Sequence, residues 1–364
     1  MSKEIVSTNS DPAQVPSIST QERKKIRERI DAFHQYVPSS SAPAFPRTVL
    51  VELSNVCNHR CVFCAYSKMT RRGKLFHYPL LERLLKEAFD LGAREVGFYS
   101  GAEPFTSLDL EASIQLAKQL GYEYVFISTN ASLATEERLK ASIDYGLDSL
   151  KFSINAGDRE TYKRIHGRDD FDKVIERVHF CSAYRAQKNA HLYLAVSCVL
   201  VDHAIGSNVG TKDQLKELLG NVVDEVIYYE ANNQNGQMIG LADAGIKAPC
   251  PLPFMQCHIS AEGYLRMCCS DYQNYLSLVD LNQTSLKDAW YAEIFKEMRQ
   301  RHLDNRLEGT LCYNCIHNTN APMEPIVKEL AVIVADPSYF NADGGGRKAA
   351  PPVSAVSTDA ARPA

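Results

Sequence analysis

The sequence predicts an α/β fold, a partial (β/α)6 barrel followed by a small cysteine-rich domain. Two observations carry this expectation. From Thr48 to about Glu230, short apolar runs rich in β-branched and aromatic residues alternate with longer stretches of helical period. That alternation is the signature of right-handed β-α-β units on a parallel sheet. The second observation is that cysteines gather in two places, three directly after the first apolar run and six between Cys250 and Cys315.

Taken in order, the chain opens with a Ser-, Pro-, Thr- and Gln-rich stretch, residues 1–20, whose composition predicts disorder. Gln21–Tyr36 places Ile26, Ile30, Phe33 and Tyr36 at helical spacing, which predicts a short amphipathic helix. A Ser/Pro/Ala linker over Pro38–Pro46 follows. Strands are expected at Val49–Leu53, Glu95–Tyr99, Tyr124–Ser128, Ser149–Ile154, Leu192–Leu200 and Glu225–Tyr229. Helices are expected between them at Tyr78–Leu91, Leu108–Leu120, Thr135–Tyr145, Phe171–Lys188 and Lys212–Leu219. A closed eight-stranded barrel needs two more repeats than these. Gly236–Pro249 reads as a linker, Ile326–Val334 as one further helix or strand, and Asn341–Ala364 as a flexible tail. The expected divisions are 1–45, 46–235, 236–325 and 326–364.

Composition narrows the function classes. With 45% hydrophobic and 23% charged residues, the 364-residue chain is ordinary for a soluble globular protein. A net charge of −4 gives no electrostatic footprint for nucleic acid or anionic lipid. The polar start, Met1–Ser19, lacks an apolar signal segment, and no run reaches the roughly eighteen apolar residues of a membrane span. A reducing cytoplasm is the expected location. There, eleven cysteines read as metal ligands or redox groups rather than disulfides.

In Cys57-Asn-His-Arg-Cys61-Val-Phe-Cys64, one tight loop can turn three thiols toward a common point. Soft thiolates select iron–sulfur clusters, zinc or copper(I), and three are one short of the Cys₄ set of a four-iron cluster. Zinc with His59 as fourth ligand is the structural alternative. In a parallel α/β fold, chemistry sits at the carboxyl ends of the strands. Those ends carry Ser100-Gly101-Ala102-Glu103-Pro104, then Ser128-Thr129-Asn130, then Lys151-Phe152-Ser153-Ile154-Asn155 with Tyr162-Lys163-Arg164-Ile165-His166-Gly167, then Ser197, and last Glu230 with Asn232, Asn233 and Asn235. Asn130 reads equally well as a turn residue, and Arg164 also fits a solvated helix face.

The C-x₃-C-x₂-C loop after a strand resembles the signature of the radical S-adenosylmethionine (radical SAM) superfamily. Ser100–Pro104 is similar to that family's GGEP motif, and Ser153 to Gly167 resembles its S-I-D-G…Y-x-x-I-R/H-G stretch. The resemblance implies a [4Fe–4S] cluster on Cys57, Cys61 and Cys64. Its fourth iron is chelated by SAM, and the reduced cluster cleaves SAM to methionine and a 5′-deoxyadenosyl radical. It also implies that Phe63 lies near the adenine and that Ser100, Gly101, Ala102 and Glu103 meet the methionyl ammonium. Asn130 and Ser197 then serve ribose or substrate, and Ser153 with Arg164 holds the SAM carboxylate. Asn155 stands where the family more often has aspartate.

Cys250, Gly263 and Cys268 are spaced with twelve and four residues between them, and a Trp-bearing stretch at Trp290 precedes Cys312-Tyr-Asn-Cys315. This resembles the SPASM and Twitch extensions of the same superfamily. It implies one auxiliary [4Fe–4S] cluster on Cys250, Cys268, Cys312 and Cys315, in the shorter Twitch form. A Cys₄ zinc ribbon satisfies the same spacing, and Cys257 can stand in for Cys250, or Cys269 for Cys268. Some relatives return a hydrogen atom to the substrate from a cysteine, which makes Cys257 and Cys269 catalytic candidates, with packing the equal alternative. Cys181 and Cys198 read as core residues.

Three functions follow. The first is oxidation or epimerisation of a polar small molecule of sugar or aminocyclitol type, with flavodoxin or ferredoxin as electron donor. The second is maturation of a ribosomal peptide, against which residues 1–45 are too short for a winged-helix recognition domain. The third is a non-catalytic iron–sulfur or zinc protein, against which stand the intact cysteine loop and Glu103.

Overall fold

In a computed structural model, residues 7–8, 26, 33, 35–71, 73–234, 236–238, 240–242 and 245–331 are described. One ten-stranded sheet organises them. Its strands are β1 (Ser7–Thr8), β2 (Thr48–Val51), β3 (Glu95–Gly97), β4 (Tyr124–Thr129), β5 (Ser149–Ser153) and β6 (Tyr193–Leu200). A separate two-stranded hairpin, β7 (Asp202–His203) with β8 (Gly206–Ser207), comes next, before β9 (Glu225–Glu230), β10 (Gln256–Ile259), β11 (Tyr264–Arg266) and β12 (Ser277–Asp280). The order in the large sheet is β1-β9-β6-β5-β4-β3-β2-β10-β11-β12. From β2 through β9 the pairs are parallel, so the six expected strands form six parallel neighbours. The outer strands β2 and β9 do not pair with each other, which leaves the barrel partial.

Helices Tyr78–Asp90, Leu110–Leu120, Glu136–Asp144, Phe171–Lys188 and Thr211–Leu219 fall where their periodicity places them, within two residues at each end. Both faces of the parallel strands are buried, as crossover helices require. Along the first strand Val49, Val51 and Leu53 pack under the helices with Leu81, Leu84 and Phe105. Leu50, one residue out of phase, packs on the other face with Tyr124, Phe126, Tyr99 and Cys269. The helix Arg159–His166 is an addition to the expected set.

The cysteine-rich unit is built onto this sheet. Strand β10 runs parallel to β2, with Cys257 beside Val49, and the antiparallel pairs β10–β11 and β11–β12 extend the same sheet outward. Gly263 turns the hairpin at φ +83°, where a Cβ would come within 2.7 Å of Leu80 and 2.9 Å of Asn282. Both the left-handed backbone and the close approach demand glycine. Gly263→Ala is expected to destabilise the protein by about 2–4 kcal/mol, read as a lower urea midpoint at unchanged slope. The described part of the linker expected at Gly236–Pro249 is tied to the C-terminal unit: Gln237 donates its side-chain amide to Ser270 O at 3.1 Å, and Asn318 donates to Leu241 O at 3.4 Å.

Only Ile26, Phe33, Gln35 and Tyr36 of the expected N-terminal helix are described. Most of that helix, the stretch read as disordered apart from Ser7–Thr8, Asn235 and the tail lie outside the described residues. Of Ile326–Val334, Lys328–Ala331 forms a single 3₁₀ turn and the last three residues are likewise outside. Among the described residues no helix is long and apolar enough to cross a membrane.

Candidate active site

The cysteine loop leaves β2 and is held from three sides. Glu103 N–H donates to Val56 O at 3.0 Å, and Cys57 N–H to the Tyr66 hydroxyl at 2.7 Å. Arg60 and Val62 N–H donate to the carbonyls of His166 and Ile165 at 3.1 and 3.0 Å. Cys64 caps the 3₁₀ turn Ala65–Lys68, its sulfur accepting from Tyr66 N–H at 3.5 Å. Side chains complete the frame, since Asn130 donates to Asn58 Oδ1 at 3.0 Å and Asn58 to Ser132 Oγ at 2.5 Å.

Cys57, Cys61 and Cys64 all line one cavity of about 190 Å³ at the strand ends. Phe63, Ser100, Gly101, Ala102, Glu103, Asn130, Ser153 and Ser197 line it too, so eight of the nine expected cofactor-binding residues meet the three thiols in one place. Gly101 belongs there sterically, because a Cβ would sit 3.3 Å from both Glu52 Oε1 and the Tyr272 ring.

The ninth, Arg164, does not reach the cavity. It is exposed and donates to Ser207 O at 2.9 Å and to Thr161 Oγ1 at 3.2 Å. The helix Arg159–His166 buries Tyr162, Ile165 and His166 along one stripe and turns Arg164 to solvent. His166 lines the cavity in its stead, with Nδ1 3.5 Å from Cys61 Sγ.

Burial pushes all three thiols up, with Glu103 adding to the effect at Cys57 and the neighbouring thiols at Cys61. They therefore stay protonated without a cation, and a metal centre is what makes adjacent thiolates tolerable. All three are free of disulfides. The donor set fits an iron–sulfur cluster with one position open to a non-protein ligand.

Glu103 is 3% exposed, and burial lifts its carboxyl to about 7 despite three donors. Those donors are Thr129 Oγ1 at 2.5 Å, Asn130 N–H at 2.8 Å and Phe105 N–H at 3.1 Å. Ser100 donates to Cys269 O at 3.1 Å and accepts from Arg266, which ties this loop to the C-terminal hairpin.

In the C-terminal unit the thiols of Cys250, Cys268, Cys312 and Cys315 lie within electrostatic reach of one another. Burial is the main cause at Cys250, Cys312 and Cys315, whereas Cys268 is pushed up first by its hydrogen bond with Cys269 and then by burial, and the nearby Cys250 raises Cys268 and Cys312 further. Cys312 and Cys315 ride on the helix Leu311–His317, capped by Thr310. The two catalytic candidates separate. Cys269 neighbours Cys268, whose hydrogen bond pulls it down against burial, and faces the barrel interior beside Tyr99. Cys257 instead lies wholly buried in the helix-facing core with Val49, away from the cavity, which corrects the expectation of a donor there.

Tyr272 went unnoticed in the sequence. This residue of the C-terminal unit lines the cavity, with its hydroxyl 3.5 Å from Cys64 Sγ and 3.1 Å from Gln234 Oε1. The exposed Glu230, and Asn232, which accepts from Gln234 N–H, are not among the residues that line the cavity. Asn155 does line it, although its amide is engaged in holding neighbouring backbone.

A model of the radical SAM superfamily matches residues 51–194, and one of an iron–sulfur cluster-binding domain, SPASM, matches residues 250–316. A probable GTP 3′,8-cyclase of Saccharolobus islandicus is 34% identical over 128 residues, 35% of this chain and 41% of that protein. The chain thus spans about two fifths of the length of that curated relative. Streptococcus suis SuiB bound to its precursor peptide SuiA superimposes with a TM-score of 0.61 at 14% identity, covering 89% of this chain and 84% of that one. BtrN in complex with AdoMet and 2-DOIA gives 0.51 at 15% identity, covering 78% and 96%. The two models together cover more than half of the chain, which therefore belongs to the radical SAM superfamily, whose members bind a [4Fe–4S] cluster and SAM, and carries a domain of the SPASM type, which binds auxiliary iron–sulfur clusters.

Proposed function

We propose that the protein is a radical SAM oxidoreductase or epimerase acting on a polar small molecule of sugar or aminocyclitol type. With cluster and SAM bound, such a site supplies a carbon-centred radical able to remove hydrogen from an unactivated C–H bond. The chain's part is to seat the substrate beside that site and keep water from it. A flavodoxin or ferredoxin is the expected reductant, and one auxiliary [4Fe–4S] cluster the expected second centre.

A second cavity, about 300 Å³, carries the reading. It adjoins the first, sharing Tyr99 and Ser128 with it. Lys151 stands in its wall with Nζ 5.8 Å from the Tyr99 ring centre and 5.7 Å from that of Tyr229. Ser128, Ser149 and Gln256 add hydroxyls and an amide. The volume is at the low end for a small-molecule site, and aromatic rings with a few convergent polar groups suit a hydroxylated ring. Lys151 is the candidate general base for an alcohol oxidation. BtrN, whose complex contains 2-DOIA, is an aminocyclitol neighbour of similar fold.

The test is deuterium transfer into 5′-deoxyadenosine, measured by mass spectrometry with anaerobically reconstituted protein. Perdeuterated cyclitols and sugars are offered in one arm and α-deuterated peptides in the other. Transfer from the first set supports the proposal, and transfer from peptides alone replaces it with peptide maturation.

Glu103 is the expected partner of the SAM ammonium. Because its carboxyl sits at about 7, it is neutral below that pH and charged above it. SAM affinity in wild type is therefore expected to rise between about pH 6 and 8. Glu103→Gln should weaken SAM binding roughly tenfold or more and flatten that rise, since a hydrogen bond to a charged group contributes about 1.5–3 kcal/mol. Equilibrium dialysis at several pH values checks both.

A further inference from the structure

The helix Arg159–His166 ends against the cysteine loop, and its last side chain is fixed on every side. Tyr162 stacks on the His166 ring with centroids 4.0 Å apart at 16°. Asn155 Oδ1 accepts from Val199 N–H at 2.6 Å, so its amide nitrogen is the atom that faces His166 Nε2, at 3.2 Å. Asn155 N–H donates to the same nitrogen, also at 3.2 Å. With two donors upon it, Nε2 is an acceptor, and the one proton of the neutral imidazole sits on Nδ1. That N–H faces Cys61 Sγ at 3.5 Å and His59 Nδ1 at 3.2 Å. Facing the His166 N–H at 3.2 Å, His59 Nδ1 is a lone-pair acceptor, and His59 Nε2 lies 3.5 Å from Asp170 Oδ2, a charge contact without hydrogen-bond geometry. The two rings are fully buried, 2% and 0% exposed.

We propose that the His166 Nδ1–H donates a hydrogen bond to the Cys61 thiolate and sets how readily the SAM-site cluster accepts its electron. The proposal rests on the reading of Cys57, Cys61 and Cys64 as cluster ligands. A donor at a ligand sulfur draws charge from it and stabilises the more negative, reduced cluster. One electron enters from an external low-potential reductant and no proton moves, so the bond shifts the potential without joining the chemistry. His166 is a positioning residue, and the Y-x-x-I-H-G stretch clamps the cluster loop through its backbone and tunes it through its last side chain.

The experiment is a redox titration of the reduced-cluster electron paramagnetic resonance signal in the full-length, anaerobically reconstituted protein, with SAM absent and the auxiliary signal subtracted from that of the Cys57/Cys61/Cys64→Ala protein. His166→Phe keeps the stack on Tyr162 and removes the N–H. It is expected to lower the ratio of reduced to oxidised cluster about tenfold at fixed potential, a negative shift of about 59 mV for a one-electron couple. His166→Asn restores an N–H near the Nδ1 position and should recover most of the shift. An unchanged potential in His166→Phe with full iron content overturns the proposal, as do equal shifts in the two variants. If His166→Phe does not hold iron, wild type grown on ¹⁵N-histidine decides. Pulsed resonance should show ¹⁵N coupling to the cluster spin that His59→Ala retains, and absence of that coupling overturns the proposal. Failure of the wild type to lose iron on removal of the three cysteines strikes the underlying cluster reading instead.

Discussion

Replacing Cys57, Cys61 and Cys64 together by alanine is expected to take the iron content of anaerobically reconstituted protein from about eight to about four atoms per chain and to abolish SAM cleavage. The three thiols share one cavity with the strand-end residues, and burial makes them poor isolated thiolates. A metal centre is what would stabilise them as thiolates. Iron and sulfide analysis of both proteins checks the prediction. A wild type with about four irons and bound zinc would mean that Cys250, Cys268, Cys312 and Cys315 hold a structural ion. A triple variant with unchanged iron would remove the cysteine loop as the SAM site.

Glu52→Ala is expected to be the most damaging single substitution for stability, at about 3–5 kcal/mol by urea unfolding. The Glu52 carboxylate is 1% exposed and accepts from both Arg71 terminal nitrogens, at 2.8 and 3.1 Å, and from Ala261 N–H at 3.0 Å. Arg266 lies 3.6 Å away. Both guanidinium groups are themselves buried, so removing the acid leaves two interior cations under-compensated, Arg71 keeping its 3.1 Å contact with Glu262 and Arg266 losing its carboxylate contact. The exposed pair Arg47–Glu95 gives the contrast, since its loss should cost no more than about 1 kcal/mol. Burial disfavours the Glu52 charge, but Arg266 and Arg71 outweigh it and hold the carboxyl down at about 2. The folded value is below the unfolded one, so this contribution is complete above about pH 5 and fades as pH falls toward 2.

What the sequence disclosed and what it hid follow the range of the interactions. Cysteine spacing and strand–helix alternation are local patterns, and they placed the six strands, five helices and most of the cavity wall. Arg164 departs from the motif resemblance because helix geometry overrides it. The stripe Tyr162–Ile165–His166, at spacings of three and one, marks the buried face, and Arg164 falls off it. Glu52 within an apolar strand was a visible anomaly whose partners, Arg71 and Arg266, lie too far along the chain for any spacing rule to join them. Tyr272 meets Cys64 across 208 positions and left no local sign.

The seating of β10 against β2 bears on how the protein is made. The first barrel strand is synthesised some 200 residues before its outer neighbour, so during translation its edge offers unpaired backbone groups to any other chain. The barrel edge is sealed only when the C-terminal unit has emerged and docked. Biogenesis and auxiliary-cluster binding are thereby joined. A chain that stops before Gln256 carries the three SAM-site thiols and an open, sticky strand edge together, a species that a cell has reason to shield or destroy.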